Sequence, residues 1–288
     1  MTNLILIDFS WLYNRYYYVA KFNNQESREP VEPTLTRMLG QFLTLVNKSY
    51  EGAKVVMALD SPTSVLINSK LCKEYKQNRD KEGKKEVYSC LNSVLNTLIN
   101  KLDPKVFLFA RAQGFEADQI IAYYAKKYQS DRDIIIYSGD KDLLQLTYYK
   151  KVQVSDKFEK GKFIIKSDKE IFEKFKNSKG EDFTRISTNK KDILKYRVLK
   201  GDQSDNLKSV FPRIKDVEIV DIIKNYWIDN QEEGLSLSKI NNIIDNIRGT
   251  NAKLADKLQE NADTWYTNYK IMNLYEVEGI KVKRVKNA

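Results

Sequence analysis

Acidic residues fall wherever a short apolar, β-rich run gives out. Leu4 to Ile7 is followed by Asp8 and Lys54 to Leu59 by Asp60; Lys105 to Phe109 leads to GFEAD, with Glu116 and Asp118, and Asp133 to Tyr137 to SGDKD, with Asp140 and Asp142. In an open parallel sheet the C-terminal strand ends face one crevice, where ligands bind, so this placement gathers all these carboxylates together. Like charges held there repel and raise each other's pKa unless cations intervene. An all-oxygen donor set suits Mg²⁺ or Mn²⁺ rather than zinc. A pair of such ions about 3.5–4 Å apart activates water and stabilises the attacking and leaving oxygens of a phosphodiester. A single strand-end Asp is ordinarily an N-cap for the next helix, but consecutive strand ends argue against coincidental capping. Two further acids, Asp202 and Asp205 in LKGDQSDN, stand three apart, a spacing that shares one face of a helical turn.

The elements that must position these acids alternate up to about Tyr148. Between the four runs lie amphipathic stretches at Pro33 to Val46, Val87 to Leu102 and Ala117 to Tyr128, with apolar residues at three- and four-residue spacing. Strand and helix alternation predicts an α/β fold: a central, mostly parallel twisted sheet flanked by helices. A hairpin is expected from Val152 to Val154 and Phe163 to Ile165 around Lys160-Gly161, and only helical patterns after Thr188, ending in the basic tail KVKRVK. The expected division is an α/β domain over 1–183 and a helical region over 184–288.

Composition removes several chemistries. The 288 residues contain no histidine, which excludes Ser-His-Asp and Cys-His catalysis and His-ligated zinc. Cys72 and Cys90 lack zinc-ligand spacing and read as reduced thiols. Only 11 Gly and 5 Pro imply long helices. With no signal-like or membrane-length apolar run, a cytoplasmic protein without a membrane partner is expected, in the host cytoplasm if phage-encoded. The net charge of +10 points to a polyanionic partner. Much of it lies between Lys150 and Lys200, where 16 cations and 8 anions leave 16 − 8 = +8.

The segments LILIDFSWLYNRYYY, VVMALDSP, KEYKQNRD, GFEADQIIAYYA, SGDKDLLQL and LKGDQSDN, in this order, resemble the 5′ nuclease superfamily: phage 5′→3′ exonucleases, RNase H-type flap nucleases and the N-terminal nuclease of bacterial polymerase I. The resemblance implies one metal site around Asp60, Glu116, Asp118 and Asp140, with Asp8 close by through water. It implies a second around Asp142, Asp202 and Asp205, with Mg²⁺ as the ion and Mn²⁺ able to substitute. A helical arch over about 64–100 would place Lys76 and Arg79 on the scissile phosphate, with Asp140 the central catalytic acid, Tyr75 stacking a base and Arg15 on the substrate path. The implied substrate is DNA with 5′ flaps, nicks or ends, with RNA primers in RNA·DNA hybrids as a further substrate and a monomer as the acting unit.

The sequence departs from the family pattern in two places. Gln119 stands where many members carry another carboxylate, and LKSVFPRIKDVEIVDII lacks the glycines of the family's helix-three-turn-helix, so a modified duplex clamp would use Lys208, Arg213 and Lys215. Two other readings are a degenerate, non-catalytic binder of branched DNA and an Asp-nucleophile phosphohydrolase. The second is weakened by Ser10, which occupies the position where that chemistry needs a second Asp.

Overall fold

A computed structural model describes residues 3–24, 30–78, 81–173, 190–228 and 234–286. Along the chain run β1 (Leu4–Asp8), α1 (Phe9–Asn23), α2 (Val31–Ser49), β2 (Lys54–Leu59), α3 (Val65–Leu71), α4 (Lys81–Tyr88), α5 (Leu91–Lys101), β3 (Phe107–Arg111), α6 (Ala117–Tyr128) and β4 (Ile134–Tyr137). They are followed by β5 (Val152–Glu159), β6 (Lys162–Ile165), α7 (Asp168–Glu173), α8 (Asp192–Lys200), α9 (Asp216–Asp221), α10 (Leu237–Arg248), α11 (Ala252–Gln259), α12 (Ala262–Met272) and β7 (Lys283–Arg284). A 3₁₀ helix, Asp142–Tyr148, lies between β4 and β5.

These elements form two compact units. The first comprises Met1–Ser64, Asp80–Lys166 and Val277–Ala288, the second Val65–Arg79 and Ser167–Glu276. The boundary expected near residue 183 falls outside the described residues.

The first unit is built on one sheet in the order β6-β5-β4-β1-β2-β3-β7. Its five inner strands are parallel, with Leu4 opposite Lys54 on one side and Ile134 on the other. The edge strands β6 and β7 run antiparallel. Ile5, Leu6 and Ile7 are fully buried, as expected of a central strand covered on both faces. Phe9, Tyr13, Leu39, Leu43 and Leu98 from α1, α2 and α5 pack with the sheet in one apolar core. Burial of each such side chain is worth about 1.5–3 kcal/mol.

The four expected inner strands and the hairpin are all present. β3 starts two residues later than predicted because the Asp103 carboxylate and carbonyl take the N–H groups of Lys105 and Val106, closing a turn across Pro104. The stretch expected as one helix from Val87 to Leu102 is broken: α4 ends at Tyr88, Ser89 and Cys90 form a turn, and α5 begins at Leu91. The basic tail, read as strandless, supplies β7. There Arg284 pairs with Ala110 and its guanidinium reaches the Phe107 carbonyl at 3.3 Å, so the cations cover a sheet edge. Helix α1 itself was not anticipated, its aromatics being spread around the helix instead of forming one stripe.

The second unit is helical among the described residues. Trp265 of α12 is fully buried against Trp227 (centroids 5.2 Å), and Ile240, Ile244, Leu258 and Met272 fill the surrounding core. No described helix is long and apolar enough to cross a membrane.

Candidate active site

The acids of the first unit sit where the sheet's topology puts them. Asp8 closes β1, Asp60 follows β2, and Asp140 follows β4 by three residues; β1 lies between the other two strands. Asp8 and Glu116 are buried, Asp60, Asp118 and Asp142 half-buried, and Asp140 exposed. Burial pushes the Asp8 carboxyl up to about 7, and the neighbouring charges of Asp60 and Asp140 add to the rise against hydrogen bonds from Trp11 and Ser138. The three carboxyl groups therefore share one electrostatic environment.

Capping is real at these positions, contrary to the expectation that so many strand-end acids would not be caps. The Trp11 N–H donates to Asp8 Oδ1 (2.9 Å) at the start of α1, and the Ala117 N–H donates to Asp60 Oδ1 (2.8 Å) at the start of α6. The Asp142 N–H donates to Asp140 Oδ1 (2.8 Å). A carboxylate has about four acceptor positions, so one N–H fixes its orientation and leaves capacity for another ligand. The capping hypothesis and the cation hypothesis thus describe different lone pairs of the same groups.

Serines do the positioning that the sequence reading missed. Ser138 Oγ donates to Asp8 Oδ2 (2.9 Å) and accepts from the Asp140 N–H (3.0 Å), tying two acids through one hydroxyl. Ser10 Oγ accepts from the Asp60 N–H (3.0 Å), and Ser61 Oγ accepts from the Gly114 N–H (3.1 Å). Gly139 allows this approach, since a Cβ there would come within 2.6 Å of the Trp11 indole nitrogen. The available signal was a serine one or two places from each of Asp8, Asp60 and Asp140. Arg111 was also overlooked: at the end of β3 its guanidinium is held below its usual range by burial, a shift the Asp60 charge opposes.

Gln119 is engaged elsewhere. Its Oε1 accepts from the Glu116 N–H (2.9 Å), forming a capping box at the start of α6. A Glu or Gln three residues after a cap is the sequence signature of that motif, and EADQ carries it.

The acids of the second unit have cations beside them. Arg197 pairs with Asp202, whose carboxylate also takes the N–H and hydroxyl of Ser204 (2.8 and 2.6 Å). Burial works to raise the Asp202 carboxyl, but Arg197 and Ser204 outweigh it and hold the group below the usual range. Lys76 Nζ lies 3.6 Å from Asp205 and 4.8 Å from the Tyr75 ring centroid. Tyr75, expected to stack a base, is 3% exposed with its hydroxyl 3.4 Å from Asp205, so in this conformation its ring is core packing. Arg79 lies outside the described residues. The expected arch segment is helical in α3, α4 and α5.

The remaining cations are on the surface of their units. Arg15 is exposed on α1, donating to the Asp156 carbonyl (3.0 Å). Lys208 forms an exposed pair with Glu74 (3.1 Å), while Arg213, in a left-handed conformation (φ 61°), and Lys215 are exposed between α8 and α9.

Among the described residues no three Asp, Glu or Cys side chains converge closely enough to hold one ion. The donor chemistry nevertheless fits a hard divalent cation, because Asp8, Asp60 and Asp140 offer only oxygen, and burial, with the charges of Asp60 and Asp140 adding to it, raises Asp8.

Residues 3–176 match the family described as 5′-3′ exonuclease, N-terminal resolvase-like domain. A 5′-3′ exonuclease of Mycoplasma pneumoniae is 29% identical over 242 residues, 80% of this chain and 75% of that one. Another, of Mycoplasmopsis pulmonis, is 27% identical over 209 residues, covering 72% of this chain and 61% of its own. In fold the chain is similar to a bacteriophage T5 protein co-crystallised with metal ions (TM-score 0.66, 20% identity, 95% of this chain and 90% of that one). It is also similar to the T5 flap endonuclease in a complex with DNA and metal ions (TM-score 0.66, 18% identity, 95% and 89%).

Proposed function

We propose, from the premise that this chain belongs to the 5′-3′ exonuclease family, that it is a divalent-metal-dependent nuclease hydrolysing phosphodiester bonds at DNA 5′ ends and flaps. The observation that carries the reading is the placement of buried Asp8 between Asp60 and Asp140 at neighbouring strand ends, with Ser138 tying Asp8 to Asp140. A pure DNA-binding protein gains nothing from a crevice that repels phosphate, which speaks against a degenerate, non-catalytic member.

Asp60, Glu116, Asp118 and Asp140, with Asp8 close by through water, would hold an ion, with Mg²⁺ as the working ion, as the family resemblance implies. Bound there, the cation supplies positive charge against the phosphate and lowers the pKa of water at the site. The chain's own part is orientation. Ser138 and the N–H groups of Trp11, Ala117 and Asp142 fix the carboxylates, so that little reorganisation accompanies the reaction. Lys76 and Arg79 neutralise charge on the reacting phosphate, and Arg15, Lys208, Arg213 and Lys215 hold the backbone, with affinity that falls as salt rises. RNA·DNA hybrids are a second proposed substrate.

The test is incubation of the protein with end-labelled 5′-flap, nicked and single-stranded DNA, with Mg²⁺ and then with chelator. Cleavage at the flap base or 5′ end that chelator stops is the expected result. Equal product with chelator, or none with any metal, would overturn the reading.

A further inference from the structure

Two segments some 130 residues apart interlock within the second unit. Residues 73–78 form a turn, and residues 201–207 form a loop closed by reciprocal backbone hydrogen bonds between Asp202 and Leu207 (2.9 and 2.8 Å). The Lys76 N–H donates to the Asp205 carbonyl (2.9 Å). Each segment then sends one asparagine amide into the backbone of the other. Asn206 Nδ2 donates to the Glu74 carbonyl (2.9 Å), and Asn78 Nδ2 donates to the Gln203 carbonyl (3.1 Å).

The backbone shows what this clasp does. Lys76 (φ 55°) and Asn206 (φ 60°) are both left-handed. Asn tolerates that region through its short polar side chain, but Lys has no such advantage, so its conformation persists only where its surroundings over-determine it. The loop is the rigid partner. A Cβ at Gly201 would lie 2.5–2.6 Å from the backbone of Lys208 and Leu207. The buried Asn268 amide donates to the carbonyls of Val198 and Lys208 (2.9 and 2.8 Å), pinning both flanks of the loop. Against that platform the hydrogen bonds from Asn78 and Asn206 fix the turn that carries Lys76.

We infer that Asn206 and Asn78 are positioning residues for the hydrolysis, acting through Lys76 by holding the left-handed turn that aims its ammonium group. The inference rests on the role proposed above for Lys76. Losing one net hydrogen bond from such a clasp corresponds to about a five- to tenfold change.

Asn206→Gly keeps the left-handed freedom and deletes the amide; Asn78→Ala deletes the reciprocal amide at an exposed position, where folding is not at stake. Single-turnover cleavage of 5′-flap DNA and equilibrium binding in Ca²⁺ are measured for each, alone and combined with Lys76→Ala. Each single variant is expected to slow cleavage about five- to tenfold with binding unchanged, and the loss should vanish in the Lys76→Ala background. The same fold-loss in both backgrounds would overturn the inference, as would unchanged rates. Amide hydrogen exchange over residues 73–78 separates this from failure of the proposed function. If the wild-type protein cleaves nothing, faster exchange of that segment in Asn206→Gly still supports the clasp, and unchanged exchange overturns it.

Discussion

At the ends of β1, β2 and β4, burial and like charge dominate: Asp8 is raised to about 7 with Asp60 and Asp140 beside it. In the 201–207 loop the protein supplies its own cation, with Arg197 on Asp202. The same residue type is thus left in electrostatic tension in one unit and relieved in the other. On this contrast the acids under tension are predicted to need an external cation, and Asp202 with its built-in partner is predicted to hold a loop in shape.

The largest effect that could break this comparison is on chemistry. Asp140→Ala is predicted to reduce single-turnover flap cleavage below detection while leaving DNA binding in Ca²⁺ and the melting temperature intact. Asp202→Ala should instead lower stability by about 2 kcal/mol in denaturant unfolding, because Arg197 loses a charged hydrogen-bond partner. Reversal of the two outcomes would show that the units had been assigned the wrong roles.

Next in size, Lys76→Ala is predicted to slow cleavage about 10²–10³-fold, the usual loss for a preorganised donor to a transition state. Equilibrium binding should fall far less. Equal losses in rate and binding would make Lys76 a backbone contact.

The pH dependence of stability sharpens the contrast, because the shifts have opposite signs. Asp8, raised, contributes stability that is complete below about pH 4 and is lost as pH rises through about 7. Asp202, lowered, contributes stability present above the usual carboxylate range and lost as pH falls through its folded value. Asp8→Asn keeps an oxygen for the Trp11 N–H and is predicted to stabilise the metal-free protein at pH 8, by up to about 4 kcal/mol, with little change at pH 4. Thermal melts across that range check it, and a destabilised variant at pH 8 would contradict the account.

The smallest effect concerns Gln119. Its oxygen serves the capping box, so Gln119→Asp should leave the Mg²⁺ concentration for half-maximal cleavage unchanged, while Gln119→Ala costs about 1 kcal/mol of stability. A lower Mg²⁺ requirement in Gln119→Asp would restore this position as a ligand site.

What was legible in the sequence follows the same physics. The inner strands and their terminal acids could be read because a buried parallel strand is a continuous apolar run, and the residue after it is forced to the sheet's end. β7 could not be read, since within KVKRVK it is only the two-residue edge strand Lys283–Arg284, whose cations are its protection. α1 hid because its aromatic residues do not make one stripe. The serine contacts had a local signal in Ser10, Ser61 and Ser138. The clasp had none, because Asn78 and Gln203 are brought together only by the tertiary fold.

The central claim, that the strand-end acids of the first unit are the cation-requiring half of the protein, is tested most directly by calorimetric titration of Mn²⁺ into DNA-free wild-type and Asp140→Ala proteins at pH 7. The account predicts saturable binding to the wild type with release of protons, as the Asp8 carboxyl is driven to ionise, and weakened binding to the variant. Identical isotherms for the two proteins, or no binding to the wild type, would contradict it.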